Sequence, residues 1–322
     1  VNESLLLNGP EVVTFGETMA LFMPSSSKGI EHAASLEKLF GGAESNVAIG
    51  LARLGHRVGW FGRLGNDPLG RFILKKLRGE GVDVSRAALS ANGPTGLMMR
   101  ESIAGKSSVY YYRKLSAMSA MQPDELDAEY IGSATILHVT GITPALSESC
   151  RLTLLEAVRI ARSRGVKICF DPNIRLKLWS ADEARAALLP IAEQADYFLP
   201  GLDELKLLYG TDDLGALSGM LGKLPGVSVI KGGADVTYLL ENGRLTEIPY
   251  FKAKQVVDTV GAGDAFCAGF LSGVLKRKPL GEAVRLGNLL GSLAVQAYGD
   301  WEGLPTSEEV EAVLGGKGHV ER

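Results

Sequence analysis

At 322 residues the chain is long enough for about two domains, or for one large α/β domain with a smaller attachment. Hydrophobic residues make up 46% of it and charged residues 22%, which is globular usage and excludes a disordered or collagen-like chain. A formal net charge of -3 supplies no broad basic field for a nucleic acid or an anionic membrane, so a small molecule is the expected partner. Any anionic substrate would then need local arginines. Cys150, Cys169 and Cys267 show no CxxC spacing and no histidine cluster accompanies them, so buried structural thiols are expected, not a disulfide framework or a zinc site. The N-terminal VNESLLLNGP has neither a basic start nor a long apolar stretch. No later segment carries the roughly 18 apolar residues of a membrane span, and a cytoplasmic location is the expectation.

Along the chain, VVTFGE near Val12 reads as a buried strand, and apolar spacing predicts a helix over 44–54. RVGWFGRLG near Arg57 reads as the next strand, followed by a helix over 68–78. Further strands are expected in ATILHVTG near Ala134, VKICFDPN near Val166, YFLPG near Tyr197 and VSVIKGG near Val227, with helices over 147–164 and 181–194 among them. This βαβ rhythm predicts an α/β fold, a doubly wound and mainly parallel sheet with helices on both faces. Two regions, 19–38 and 95–116, break the rhythm, because TGLMMRES and SSVYYYRK alternate like strands of a half-exposed sheet. They are expected to pair as a small β-sheet lid over one edge of a main domain made of 1–18, 39–94 and 117–322. Pattern alone allows ordinary surface hairpins equally. The last third turns helical in GAGDAFCAGFLSGVLK, LGEAVRLGNLLGSLAVQAY and SEEVEAVLGG.

The chemistry concentrates in Asp258-Thr259-Val260-Gly261-Ala262-Gly263-Asp264, a small-residue turn that runs straight into a helical pattern. A helix start presents free N–H groups and a partial charge of about +0.5, so phosphate oxygens can approach the amides of Gly261, Ala262 and Gly263. Phosphoryl transfer needs such a cradle and a group to take the proton from the attacking hydroxyl, a role open to Asp264. An ordinary carboxylate pKa of about 4 would keep it ionised at pH 7. Position alone also fits a first-turn helix aspartate. No GxxxxGK[ST] occurs, and Phe266 stands where GxGxxG needs its last glycine, which disfavours P-loop and dinucleotide enzymes.

The chain resembles the ribokinase-like (PfkB) carbohydrate kinases almost end to end. The resemblance lies in Gly41-Gly42-Ala43-Glu44-Ser45-Asn46-Val47-Ala48, in GRLGNDPLG over 62–70 and in DTVGAGDAFCAGF from Asp258. It implies that Gly41, Gly42 and Asn46 contact sugar hydroxyls, that Gly261, Ala262 and Gly263 hold the transferred phosphate, and that Asp264 is the catalytic base. It further implies ATP contacts at Asn173, Arg175, Lys231, Gly233 and Asn288, and Mg²⁺ held through water by Glu204, and it admits a monovalent cation. Gly201 and Val236 depart from the family pattern, standing where an Asn and a Gly are usual. Within the family, Tyr110-Tyr111-Tyr112-Arg113 and Asp171-Pro172-Asn173-Ile174-Arg175 are similar to kinases of the sugar acid 2-keto-3-deoxygluconate, acting at its 6-hydroxyl. That likeness puts Tyr111, Arg113, Arg175 and Asp300 at the substrate, with arginine forks for its carboxylate. YYYR could equally be a lid strand packing on another subunit, and Arg175 could serve ATP phosphates. A homo-oligomer formed through the lid is the expected assembly. Fructokinase is the second candidate activity, and a silent sugar-binding protein on the same fold the third.

Overall fold

The computed structural model describes residues 9–25, 29–103, 106–232 and 235–315. Strand β1 (Val12–Phe15) is wholly buried and leads into β2 (Met19–Pro24) and β3 (Leu36–Gly41). Helix α1 (Ala43–Arg53) follows, then β4 (Val58–Phe61) and β5 (Arg63–Gly65). Helix α2 (Pro68–Gly79) starts where Asp67 accepts the N–H of Gly70 and Pro68 supplies a pre-set φ. Then come β6 (Ala88–Ser90), β7 (Leu97–Ile103), β8 (Lys106–Tyr112) and the short helix α3 (Ala128–Gly132). β9 (Ile136–Thr140) and α4 (Thr143–Leu146) lead to α5 (Glu148–Ser163), capped by Ser147, and to β10 (Lys167–Asp171). A capping box of Ser180 and Glu183 opens α6 (Ala181–Ala192), ahead of β11 (Tyr197–Phe198), α7 (Leu202–Tyr209), α8 (Leu214–Leu221) and β12 (Val227–Ile230).

The hairpin of β13 (Val236–Glu241) and β14 (Arg244–Pro249) turns at Asn242-Gly243, with φ of 51 and 74. Left-handed φ at both positions is the turn that matches strand twist, and Asn-Gly is its usual sequence. Helices α9 (Ala262–Leu275), α10 (Leu280–Ala294) and α11 (Ser307–Leu314) close the chain. Among the described residues no helix is long and apolar enough to cross a membrane.

The main sheet has eight strands in the order β14-β13-β12-β11-β10-β9-β1-β4. It is parallel from β12 to β4, and the hairpin adds two antiparallel strands at one edge. Apolar side chains fill both faces: Phe266 and Phe270 of α9 and Leu289 and Leu290 of α10 pack on one, Leu154 of α5 and Leu188 of α6 on the other. All three cysteines are free and buried.

The two excursions pair as a second sheet, β3-β2-β7-β8, whose one face is closed by Met19, Leu21, Met23 and Met98. β3 continues past Lys38 to Gly41, so the small sheet runs directly into α1. The parallel strands of the main sheet end in loops facing this small sheet, the place where open α/β sheets hold ligands.

Candidate active site

The glycine-rich turn becomes the entry to α9, with Gly261 as N-cap at φ 78. A side chain is doubly excluded there, since a Cβ would also run into the carbonyl oxygen of Asp300. In the first turn of α9 the N–H of Ala262 donates to the Thr259 carbonyl at 3.4 Å, and helix geometry gives the next N–H groups no intrahelical acceptor, a start suited to an anion. Asp264 sits in the first turn and is buried. Helix α1 delivers Asn46, whose Nδ2 donates to Oδ2 of Asp264 at 2.8 Å. Burial lifts the Asp264 pKa to about 6, with the Asp171 charge adding to it, while the Asn46 hydrogen bond, Arg175 and Lys231 pull the other way. This corrects the expected value near 4. The group remains mostly ionised at pH 7 and lies nearer the working range of a general base.

Two cavities meet at this turn. One, of about 390 Å³, lies between the main body and the small sheet and is walled by polar groups including Asn46, Arg100, Asp264 and Asp300. The other, of about 310 Å³, is lined by Tyr250, Phe251, Phe266 and Val295, a surface suited to a flat base. Lys231 and Gly263 border both.

Of the residues expected at a sugar, Gly42, Asn46, Tyr111, Arg113, Arg175, Asp264 and Asp300 all line the first cavity. Gly41 does not. Its missing side chain makes room for the Asp300 carboxylate, which a Cβ would overlap. Asp300 is held there because the neighbouring Trp301 donates its indole N–H to the Phe40 carbonyl at 3.1 Å. Burial drives Asp300 up to about 7, Arg100 pulls it down, and Asp264, Glu302 and Asp258 push it further up.

Of the residues expected at ATP, Asn173, Arg175, Lys231, Gly261 and Gly263 line the first cavity, and Lys231, Ala262, Gly263 and Asn288 the second. The side chain of Asn288 accepts from Thr237 at 2.6 Å and donates to the carbonyls of Ile248 and Pro249, so it ties α10 to the β13–β14 hairpin. Gly233 lies outside the described residues. Lys231 Nζ is 2.9 Å from Asp171 Oδ1. Burial acts against the Lys231 charge, but Asp171, Cys267 and Glu204 outweigh it and the pKa is raised.

Glu204 accepts N–H groups from Ile174 and Gly201, each at 2.7 Å, and so pins the loop after β10 to the start of α7. In that loop Asn173 has φ 39. Burial and the nearby Asp171 raise the Glu204 pKa. Among the described residues no three His, Cys, Asp or Glu side chains cluster as a metal cage. Glu204 and Asp171 on the first cavity nevertheless fit Mg²⁺, which is commonly held by one or two carboxylates with water and substrate phosphates.

The two expected arginines differ. Arg113 is already engaged: its Nε and Nη2 each lie 2.6 Å from Oε2 of buried Glu17. The fork expected at a substrate carboxylate is thus met by Glu17 in this structure, at the wall of the first cavity. Arg175 is exposed at the cavity mouth and has no carboxylate within 4.0 Å among the described residues. Sequence reasoning missed Arg100, Glu17 and Asp171 as parts of the site. A charge at the inward position of an alternating strand, as Arg100 beside Met98, was the available signal.

A buried carboxylate beside an anion-binding helix start, between a polar cavity and an apolar one, can accept a hydroxyl proton while a phosphoryl group is held in line. Fold and site together define an ATP-dependent sugar kinase. The sequence matches the pfkB family carbohydrate kinase profile over residues 10–307, and the chain belongs to that family. It is 42% identical to the 2-dehydro-3-deoxygluconokinase of Bacillus subtilis, covering 94% of this chain and 95% of that one. Fructokinase-1 of Oryza sativa subsp. japonica is 34% identical, over 93% and 96% of the two chains. The crystal structure of a PfkB protein from Polaromonas sp. JS666 superposes with a TM-score of 0.87 at 36% identity, over 94% of this chain and all of that one.

Proposed function

We propose that the chain transfers the γ-phosphoryl group of ATP to the 6-hydroxyl of 2-keto-3-deoxygluconate, a sugar acid also called 2-dehydro-3-deoxygluconate. The observation that carries the substrate is Arg175, a cation on the polar cavity with no carboxylate partner among the described residues. A planar guanidinium there matches a substrate carboxylate, and Tyr111 offers an aromatic face to the carbon chain. The 42% identity to a kinase of that name supports the same reading.

In this reading Gly42 and Asn46 orient the hydroxyls, and Asp264 takes the proton of the attacking one. The amides of Gly261, Ala262 and Gly263 hold the transferred phosphate, and Lys231 lies where the two cavities join. Mg²⁺, when bound, neutralises phosphate charge, and Glu204 is the residue to hold it through water. The small sheet acts as a lid that excludes water from the γ-phosphate. Its outer residues Ile103, Tyr110 and Tyr112 are exposed and suit assembly with a second copy, in a cytoplasmic setting.

Fructokinase is the second reading, favoured by the engagement of Arg113 with Glu17, which leaves fewer arginines for an acid. ATP turnover across ketodeoxygluconate, ketodeoxygalactonate, fructose and ribose tests both. A kcat/KM highest for ketodeoxygluconate supports the proposal. Preference for fructose replaces it, and no turnover with any sugar leaves a binding protein.

A further inference from the structure

Arg100 reaches from β7 of the small sheet into the main body and is only 3% exposed. Its Nη2 lies 2.8 Å from Oδ2 of Asp258 and its Nη1 3.1 Å from Oδ1 of Asp300. The ring of Tyr298 covers the guanidinium, 5.5 Å from centroid to carbon. Asp258 and Asp300 belong to separate segments, and both segments bear on the phosphate turn. Oδ1 of Asp258 accepts the N–H of Val260 at 3.1 Å, immediately before Gly261. The main-chain oxygen of Asp300 packs against Gly261 itself, in the space a Cβ would need.

One guanidinium therefore bridges two largely buried carboxylates, 10% and 9% exposed, that would otherwise face each other without a cation. Only arginine has the planar fork to span both, since a lysine ammonium is a single point charge. We propose that Arg100 is a positioning residue: docking of the small sheet inserts its guanidinium between Asp258 and Asp300, which sets residues 260–263 in the geometry that holds the transferred phosphate. Closure over the sugar is thereby coupled to assembly of the cradle, and the two cavities report to each other through one side chain. The coupling rests on the kinase reading above and deepens it.

Arg100 also lines the polar cavity, so a direct sugar contact is the rival explanation, and it predicts different kinetics. R100Q, D258N and the double variant are compared with the wild type at saturating MgATP. The expected result is a kcat for R100Q lower by about 30-fold or more with sugar KM changed less than about threefold. D258N should add less than about twofold to R100Q in the double variant, because both act through one contact. Amide exchange over 259–263 in the sugar-bound enzyme should quicken in R100Q. A raised sugar KM with kcat intact overturns the proposal in favour of direct binding. A lowered Tm with kcat intact per folded enzyme overturns it in favour of mere scaffolding. Should R100Q not fold, R100K keeps the charge without the fork and is read by the same quantities. A wild type inactive on every sugar defeats the kinase reading, whereas an active wild type beside a normal R100Q defeats only the coupling.

Discussion

Replacing Asn46 by alanine should move the acid limb of the pH–rate profile. With Asp264 at about 6, roughly ten-elevenths of it is ionised at pH 7 and one-eleventh at pH 5. The kcat/KM for sugar should therefore fall about tenfold between those pH values, since this parameter reports the enzyme before sugar binds. The Asn46 hydrogen bond stabilises the charged carboxylate at 2.8 Å in a buried setting. Such a bond is worth about 1.5–3 kcal/mol, or roughly one to two pKa steps, so Asn46→Ala should carry the limb up to about 7–8. Loss of a sugar contact would lower kcat/KM by one factor at every pH, whereas loss of the hydrogen bond costs most below pH 8 and is regained above it. The assay is kcat/KM from pH 5 to 9 with Mg²⁺ in excess and ATP saturating. A limb that stays near 6 in the variant refutes the assignment of Asp264 as the titrating base under Asn46's control.

Asp264→Asn should retain fold and ATP binding and lower kcat by a factor of about 10² or more; near wild-type turnover removes it as base. Arg175→Ala should lower kcat/KM about ten- to a hundredfold for the ketodeoxy acid and spare fructose, and equal losses for both would sink the carboxylate contact. Arg113→Ala should impair both substrates and lower Tm, because it leaves Glu17 buried without its cation, a cost of about 3–5 kcal/mol. Burial of Glu44 raises its pKa to about 7, against hydrogen bonds from Thr140 and Thr143 that lower it. A raised carboxyl contributes stability that is present below its unfolded value of 4.5 and is lost as pH rises through about 7, roughly 3 kcal/mol in all. Glu44→Gln should thus lose less Tm than the wild type between pH 5 and 8, and parallel Tm curves would contradict this. Hydrogen exchange over 19–38 and 95–116 should slow when sugar saturates the enzyme; unchanged exchange would end the lid idea.

Much of this was legible in one dimension because it depends on local rules. The short apolar run Ile168-Cys169-Phe170, bounded by Lys167 and Asp171, reads as a strand covered on both faces, and the capping residues Ser147 and Ser180 mark where α5 and α6 begin. The turn from Asp258 to Asp264 was also legible locally, since glycines ahead of a helical pattern mark a helix start suited to an anion, although its geometry is completed by distant residues. The β13–β14 hairpin was legible in principle through Asn242-Gly243, although its strands were not singled out.

What a side chain means electrostatically was not local. Asp264 departs from an ordinary carboxylate because burial raises its pKa, and the hydrogen bond from Asn46, 218 positions away, only partly offsets that. Arg113 and Arg175 look alike in sequence, yet Glu17 meets one, while among the described residues no carboxylate meets the other. Arg100 acquires its place only when β7, the Asp258 turn and the Asp300 loop converge, because a charge leaves water only where the folded chain brings opposite charges to it.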